Sequence, residues 1–275
     1  MKVALVGAGG KMGMRLTKNL MNAPQYKMSY LEVSETGIKQ LNEINISVSE
    51  EDKVIPEADI VILAVPDIIL GKVSEKIVPK MKSGSMVYTL DPAAVMAGKL
   101  FKREDISYFI SHPSHPSVFN WESNPKAQND FFGGSLAKQT IVCTLLQGSV
   151  KNYENGEKLA KTMYAPVSKS FHITVEQMAL LEPALVETLS ATCLAIVKEG
   201  MDEIIKKGVP AEAAREFLLG HINIQLAVIF QEIPGAVFSD AAIKALERGK
   251  KILFKDGWKK IFDPDNVMEQ VNDIT

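Results

Sequence analysis

The sequence predicts an α/β fold, a doubly wound parallel sheet in the N-terminal part followed by an all-α C-terminal domain. Three observations carry that expectation. From Lys2 to about Ile110, short apolar runs rich in β-branched residues alternate with helical patterns, the order that right-handed crossovers wind into a parallel sheet. The first run feeds a glycine-rich turn and the start of a helix. Beyond Thr174 apolar residues recur every three or four positions instead. The expected division is 1–173 and 174–275.

The opening stretch is the most specific. Val3-Ala4-Leu5-Val6 reads as a buried strand, and Gly7-Ala8-Gly9-Gly10-Lys11-Met12-Gly13 follows at once. Met12, Leu16 and Leu20 then fall at helical spacing, and a second extended run, Lys27 to Leu31, ends at Glu32. A helix entered through such a turn presents unpaired backbone N–H groups to an anion, and a dinucleotide pyrophosphate is the expected one. Gly7 suits the tight turn and Gly9 the close approach of the phosphates, with Gly10, Lys11 and Met12 opening the helix. The usual G-x-G-x-x-G would place its third glycine at Met12, whereas this chain has it one residue later, at Gly13. Glu32, 19 residues past Gly13, is placed to accept hydrogen bonds from the adenosine ribose diol and to repel a 2′-phosphate, which favours NAD over NADP. The N-terminal part is therefore read as Rossmann-type.

The following elements continue the alternation. Ser34 to Ile44 reads as a helix, and Ala58 to Val65 as a strand covered on both faces. Pro66 and Asp67 end that strand, so Val65, Pro66 and Asp67 form a strand-end loop that should line the cofactor crevice. A helix over Ile68 to Val78, a strand over Met86 to Leu90 closing in Asp91-Pro92, and a strand over Ile106 to Ile110 closing in Ser111-His112-Pro113-Ser114-His115-Pro116 come next. Phe119 to Asn129 is polar and reads as an excursion loop. Thr140 to Leu146 and Pro166 to Ile173 could extend the sheet around a helix at Asn155 to Met163.

In the C-terminal part the helical pattern runs from Thr174 to Lys207, about 50 Å at 1.5 Å per residue, with Pro183 expected to kink it. Pro210 opens the next helix. Past Gly220 that helix is apolar on nearly every face, through Ile222, Leu226, Val228, Ile229 and Phe230, which a small helical domain cannot bury alone. A homodimer built on these helices is the expectation. A last helix over Ala241 to Phe254 is capped by Ser239 or Asp240, with Trp258 and Phe262 docking behind it.

Composition narrows the function classes. The chain has 275 residues, 46% of them hydrophobic, with 31 basic against 33 acidic residues, a balance that gives no footprint for nucleic acid or an anionic membrane surface. Cys143 and Cys193 sit in apolar runs and read as small buried hydrophobes of a reducing compartment. The first strand begins at once, no run reaches the length of a spanning helix, and a soluble cytoplasmic protein is expected.

Two of the four histidines, His112 and His115, share one hexapeptide at the end of a strand. Each precedes a proline, which favours extended backbone. Oxidation by NAD needs a base for the hydroxyl proton, and a neutral imidazole serves near neutral pH; His112 is the first candidate, and His115 is equally readable as filling a rigid loop. Glu182 is the carboxylate out of place, between Leu181 and Pro183 on an apolar stripe at the expected kink, a costly position without a partner. Glu176 and Glu187 read as solvated faces. His221 and Asn223 read as satisfying each other or the backbone, Lys244 and Arg248 as a solvated helix face that could also reach a substrate carboxylate, and His172 as structural.

Together the glycine turn, the Ala58 to Asp67 strand and the helical second half resemble the β-hydroxyacid and 6-phosphogluconate dehydrogenase superfamily. His112-Pro113 is also similar to a motif of prephenate dehydrogenases, where that histidine activates the substrate hydroxyl, whereas the lysine-containing catalytic helix of common β-hydroxyacid dehydrogenases is not recognisable. Gly7 to Gly13, His112 to Pro116, Phe131-Phe132-Gly133-Gly134, Thr174 to Pro183, Phe217 to His221 and Val237 to Asp240 resemble the D-apionate oxidoisomerases of bacterial sugar-acid catabolism. That resemblance implies an NAD-dependent oxidation of a branched hydroxy acid coupled to a carbon-skeleton shift, giving 3-oxo-isoapionate. Such a shift is helped by a divalent metal ion bridging ketone and alkoxide, with His112 and Glu182 as the candidate holders of the ion or of the substrate hydroxyls. A plain dehydrogenase acting on prephenate or another hydroxy acid, and a non-catalytic NAD-sensing dimer, stay open as alternatives.

Overall fold

A computed structural model describes residues 1–275. The chain divides into two compact units, Met1–Leu180 with Met268–Thr275, and Leu181–Val267.

The first unit is built on one seven-stranded sheet of order β2-β1-β3-β4-β5-β6-β7. Its strands are β1 (Lys2–Val6), β2 (Lys27–Leu31), β3 (Ile60–Leu63), β4 (Met86–Thr89), β5 (Ser107–Pro113), β6 (Gln139–Gln147) and β7 (Val167–His172). Between them run α1 (Lys11–Leu20), α2 (Glu35–Glu43), the short α3 (Glu51–Val54), α4 (Asp67–Ile77), the single turn α5 (Ala93–Met96) and α6 (Val150–Met163). Side chains of successive strand residues go to opposite faces. Val3, Leu5, Ile60, Ile62 and Tyr88 thus meet Leu16 and Leu20 of α1 and Leu159 of α6, while Ala4, Val61, Leu63 and Val87 meet Leu70 and Ile77 of α4. Coverage of both faces is why these strands read as unbroken apolar runs.

The expected sheet is present with one addition. β1 to β5 are mutually parallel, but β6 pairs antiparallel with β5, and β7 runs parallel to β6. The reversed neighbour also lengthens β5: His112 pairs with Val142 and Pro113 with Ile141, so His112 stands inside the strand's last turns rather than in a loop after it. Cys143 is fully buried and burial pushes its thiol up to about 11, while Cys193 is half-buried.

The helical run begins at α7 (Val175–Ala179), where Thr174 and Gln177 form a reciprocal capping box. It continues through a π-wound segment, Leu180–Ala191, into α8 (Thr192–Lys206). Pro183 lies buried inside the π-wound segment, where wider winding tolerates a residue without an N–H. Val175–Lys206 is a single helical run whose most apolar 18-residue stretch has a mean hydropathy of 1.6, long and apolar enough by length and composition to cross a membrane, which corrects the expectation that no run reaches that length.

In the second unit α8 and α9 (Ala211–Ile229) pack on each other, α10 (Asp240–Leu253) is capped by the Ser239 hydroxyl, and Phe254 meets Trp258 at 5.6 Å. The segment after Trp258, not anticipated from the sequence, forms a further helix, α11 (Pro264–Ile274), whose residues from Met268 onward, fully buried Val271 among them, belong to the first unit. Many large apolar side chains of the second unit are exposed, among them Leu194, Phe217, Ile229 and Leu253. Ala214 is the one buried residue of α9, and α8 and α10 have none.

Candidate active site

β2 and β3 lie on opposite sides of β1, so the carboxyl end of β1 is the point where the winding reverses, the usual place for a ligand in such sheets. The turn there is shaped by glycines that leave no room for a side chain. Gly7 has φ of 76° and its missing Cβ would meet the Ala64 carbonyl oxygen at 2.4 Å; a Cβ on Gly9 would meet Gly37 backbone at 2.3 Å. A Cβ on Gly13 would fall 2.0 Å from the Gly7 carbonyl oxygen. The displaced third glycine therefore does the work of close helix–strand packing from its shifted position, and Met12 is free to carry a side chain. Gly10, the N-cap of α1, offers no side-chain cap, and no acidic residue stands in the first turn, which suits an incoming phosphate.

Glu32 closes this turn. Its Oε2 accepts the Gly9 N–H at 2.9 Å, and its Oε1 accepts from the Val33 and Ser34 N–H groups and the Ser34 hydroxyl at 2.8 to 3.0 Å. Burial, the largest single effect, pushes the carboxyl pKa up, but these four donors together hold it below its ordinary value. An anion with a lone pair left on Oε2 is what a ribose diol would meet.

Gly10, Lys11 and Met12, the strand-end residues Val65, Pro66 and Asp67, and Asp91 and His112 line one cavity of about 390 Å³. The structure thus brings together the candidates from four strand ends of the first unit. His112 is 17% exposed at its side chain, and its Nδ1 lies 2.8 Å from the Leu90 carbonyl oxygen. A carbonyl can only accept, so Nδ1 donates to it, and in the neutral ring Nε2 is then the acceptor nitrogen. One Asp91 carboxylate oxygen stands 3.8 Å from the same Nδ1, and the other accepts the Ala93 N–H at 2.8 Å. Sequence reasoning expected the Asp91 loop to line the crevice with the other strand ends, as it does, but gave Asp91 no part beside His112, because Asp-Pro reads as a turn.

His115 departs from the extended backbone that its proline favours. It has φ of 59°, its Nδ1 donates to the Phe132 carbonyl at 2.8 Å, and its ring meets Phe132 edge-on at 6.1 Å. The bond to the Phe131–Gly134 loop holds it in this left-handed conformation. His221 donates from Nδ1 to the Phe217 carbonyl at 2.7 Å and stacks on that ring; His172 stacks on Tyr153. Glu182, in the second unit, is half-buried at the start of the π-wound segment, directly before buried Pro183; such windings recur at functional sites.

Residues 120–275 match the family of the phosphogluconate dehydrogenase (decarboxylating) C-terminal domain. Over its full length the chain is 51% identical to the D-apionate oxidoisomerase of Cupriavidus necator, covering 99% of that protein. It is 48% identical to the D-apionate oxidoisomerase of Rhizobium rhizogenes, with 99% of each chain covered. A crystal structure of a semialdehyde dehydrogenase NAD-binding protein from Cupriavidus necator in complex with calcium and NAD superposes with a TM-score of 0.97 at 51% identity, covering 100% of this chain and 99% of that one. A glycine turn at the switch point of the sheet, a half-buried histidine in the cavity beside it and full-length identity of this order agree, and the chain belongs to the D-apionate oxidoisomerase family, oxidoreductases with the phosphogluconate dehydrogenase type of C-terminal domain.

Proposed function

We propose that this protein oxidises a branched sugar acid with NAD and shifts its carbon skeleton, converting D-apionate to 3-oxo-isoapionate. The observation that carries the reading is His112, whose proton is pinned on Nδ1 by the Leu90 carbonyl while it lines the cavity beside the glycine turn. NAD, when bound, supplies the hydride acceptor. Nε2 takes the hydroxyl proton as hydride leaves the carbinol carbon, and the Asp91 carboxylate 3.8 Å from Nδ1 stabilises the imidazolium that forms. Gly7, Gly9, Gly10, Lys11 and Met12 receive the pyrophosphate, Glu32 the ribose diol, and Val65, Pro66 and Asp67 the face of the cofactor toward the substrate.

A divalent cation would supply the electrophile that polarises the ketone during the shift, and the calcium named for the Cupriavidus necator structure supports its presence. His112 cannot give Nε2 to an ion and act as base through the same atom in one step, so we assign His112 to the proton and Glu182 to the ion or the substrate hydroxyls. Hard divalent cations favour such an oxygen donor. Residues 1–173 form the cofactor-binding part and 174–275 the substrate and dimerisation part of a cytoplasmic homodimer, a reading supported by the apolar surface of α8 to α10.

The test follows NADH and product together. Incubated with NAD, magnesium and a panel of branched and linear hydroxy acids, the protein should form NADH with D-apionate, and NMR should show the rearranged product. An unrearranged product would leave a plain dehydrogenase, and no NADH from any acid would leave a cofactor-binding protein without turnover. Chelation should abolish the shift; Glu182→Gln should abolish turnover and leave NAD affinity intact. Equal loss of both in that variant would make Glu182 structural.

A further inference from the structure

Arg15 stands on the second turn of α1, just past the first turn that faces the cofactor. Its guanidinium carbon lies 3.8 Å from the centroid of the Phe132 ring, so one face of the guanidinium is taken by the aromatic surface. Its five N–H donors lie in the plane of the group, away from that contact. No carboxylate pairs with them, and the crevice they border, lined in part by Met12, His115, Gln139 and Tyr164, contains no acidic residue. A half-buried guanidinium in a protein ordinarily meets a carboxylate, and here the protein supplies none.

The neighbours in that crevice have complementary chemistry. His115 spends its Nδ1 proton on the Phe132 carbonyl, so in this tautomer its Nε2 can only accept. Gln139 is 3% exposed; its amide nitrogen donates to the Tyr164 carbonyl at 2.8 Å, while its Oε1 is buried with no donor at all. One cationic fork beside two acceptors is the complement of a carboxylate flanked by hydroxyl groups. The free space is about 10 Å³, room for about one water-sized group, so the crevice receives one end of a ligand rather than a whole molecule. Met12 lines both this crevice and the cofactor cavity, which puts that end next to the place where the rest would lie.

We propose that Arg15, stacked on Phe132, receives the substrate's carboxylate and so makes the site selective for acids over polyols. This rests on the hydroxy-acid reading above. Stacking holds the fork in a fixed plane before the ligand arrives, which lowers the ordering cost of a two-point contact with a carboxylate; a lysine, a point charge on a flexible stem, cannot reproduce it. Arg15 would thus set specificity without touching the proton or the hydride.

The experiment titrates NADH-loaded protein calorimetrically with D-apionate and D-glycerate as acids and with erythritol as the uncharged probe. Wild type should bind the acids more tightly than erythritol. Arg15→Ala should weaken both acids by about tenfold or more while leaving erythritol and NADH affinities within about twofold, and Arg15→Lys should recover part of the loss. Phe132→Leu, which frees the fork without removing it, should give a smaller loss confined to the acids. The proposal is overturned if Arg15→Ala keeps the acid affinities, if NADH or erythritol weakens by the same factor, or if wild type does not prefer the acids. Should the alanine variant not fold, a selective loss for the acids in Arg15→Lys decides in favour and an unselective one against. Wild-type protein that prefers the acids yet forms no NADH from them overturns the oxidation reading and leaves Arg15's role standing.

Discussion

At Glu32 burial and hydrogen bonding act on one carboxyl in opposite directions, and the hydrogen bonds win. The consequence is a pH dependence of definite sign. A carboxyl whose folded pKa lies below its unfolded value near 4.5 contributes stability that is fully present above that value and fades as pH falls through the folded pKa. Glu32→Gln should therefore be less stable than wild type at pH 7, and the gap in thermal midpoint should close as pH falls below 4.5 and through the lowered folded-state pKa; a gap that is constant with pH would show that the charge contributes nothing. On the proposed contact of Glu32 with the ribose diol, the same variant should bind NAD about tenfold more weakly and discriminate less against NADP. Glu32 was legible in the sequence because a strand end and a spacing pointed to it. Asp91 was legible as a crevice residue but not as a neighbour of His112, and Arg15 was not legible at all, since a charge on a helix becomes meaningful only beside an aromatic ring from a distant segment.

Among the elements, β1 to α1 shows why a motif counted by spacing can mislead. Gly13 is one residue off the usual pattern, yet a Cβ there would overlap the Gly7 carbonyl oxygen at 2.0 Å. Backbone cannot yield as a flexible side chain would, so Gly13→Ala should cost about 1–3 kcal/mol, a fall in thermal midpoint of roughly 2–12 °C at this chain length, along with most of the NAD affinity. A variant of unchanged stability would mean that the turn opens easily. The five parallel strands could be read from sequence because burial on both faces leaves an unbroken apolar run. The direction of β6 could not, because a run carries no record of which way its neighbour points. At Pro183 the sequence marked the place where the winding changes but not its form, since a missing N–H says that the α-type ladder is disturbed and not that the turns widen from Leu180 to Ala191.

Over the whole molecule, the apolar surface of the helical unit is the least balanced feature. Phe217 is 72% exposed, Leu219 45% and Ile224 46%, on a helix whose sequence has no matching polar face. A second copy of the chain is the occupant we assign to it. Wild type should sediment as a dimer at about 10 µM, and Leu219→Glu with Ile224→Glu should raise the dissociation constant by at least about tenfold for each charge buried. A monomer under those conditions removes the dimer. The antiparallel return of β6 along β5 has an effect of another kind. Residues 114–138 leave the sheet at Pro113 and rejoin it at Gln139, beside their point of departure, so the whole excursion hangs from two adjacent strands like a handle. Replacing or lengthening a handle adds little closure entropy and leaves its anchors in register. His115, Phe132, Gly133 and Gly134 of the crevice belong to this segment, while Arg15, the glycine turn and Glu32 do not. Grafting this one loop would therefore change what surrounds the Arg15 fork while leaving the fork and the glycine turn where they are.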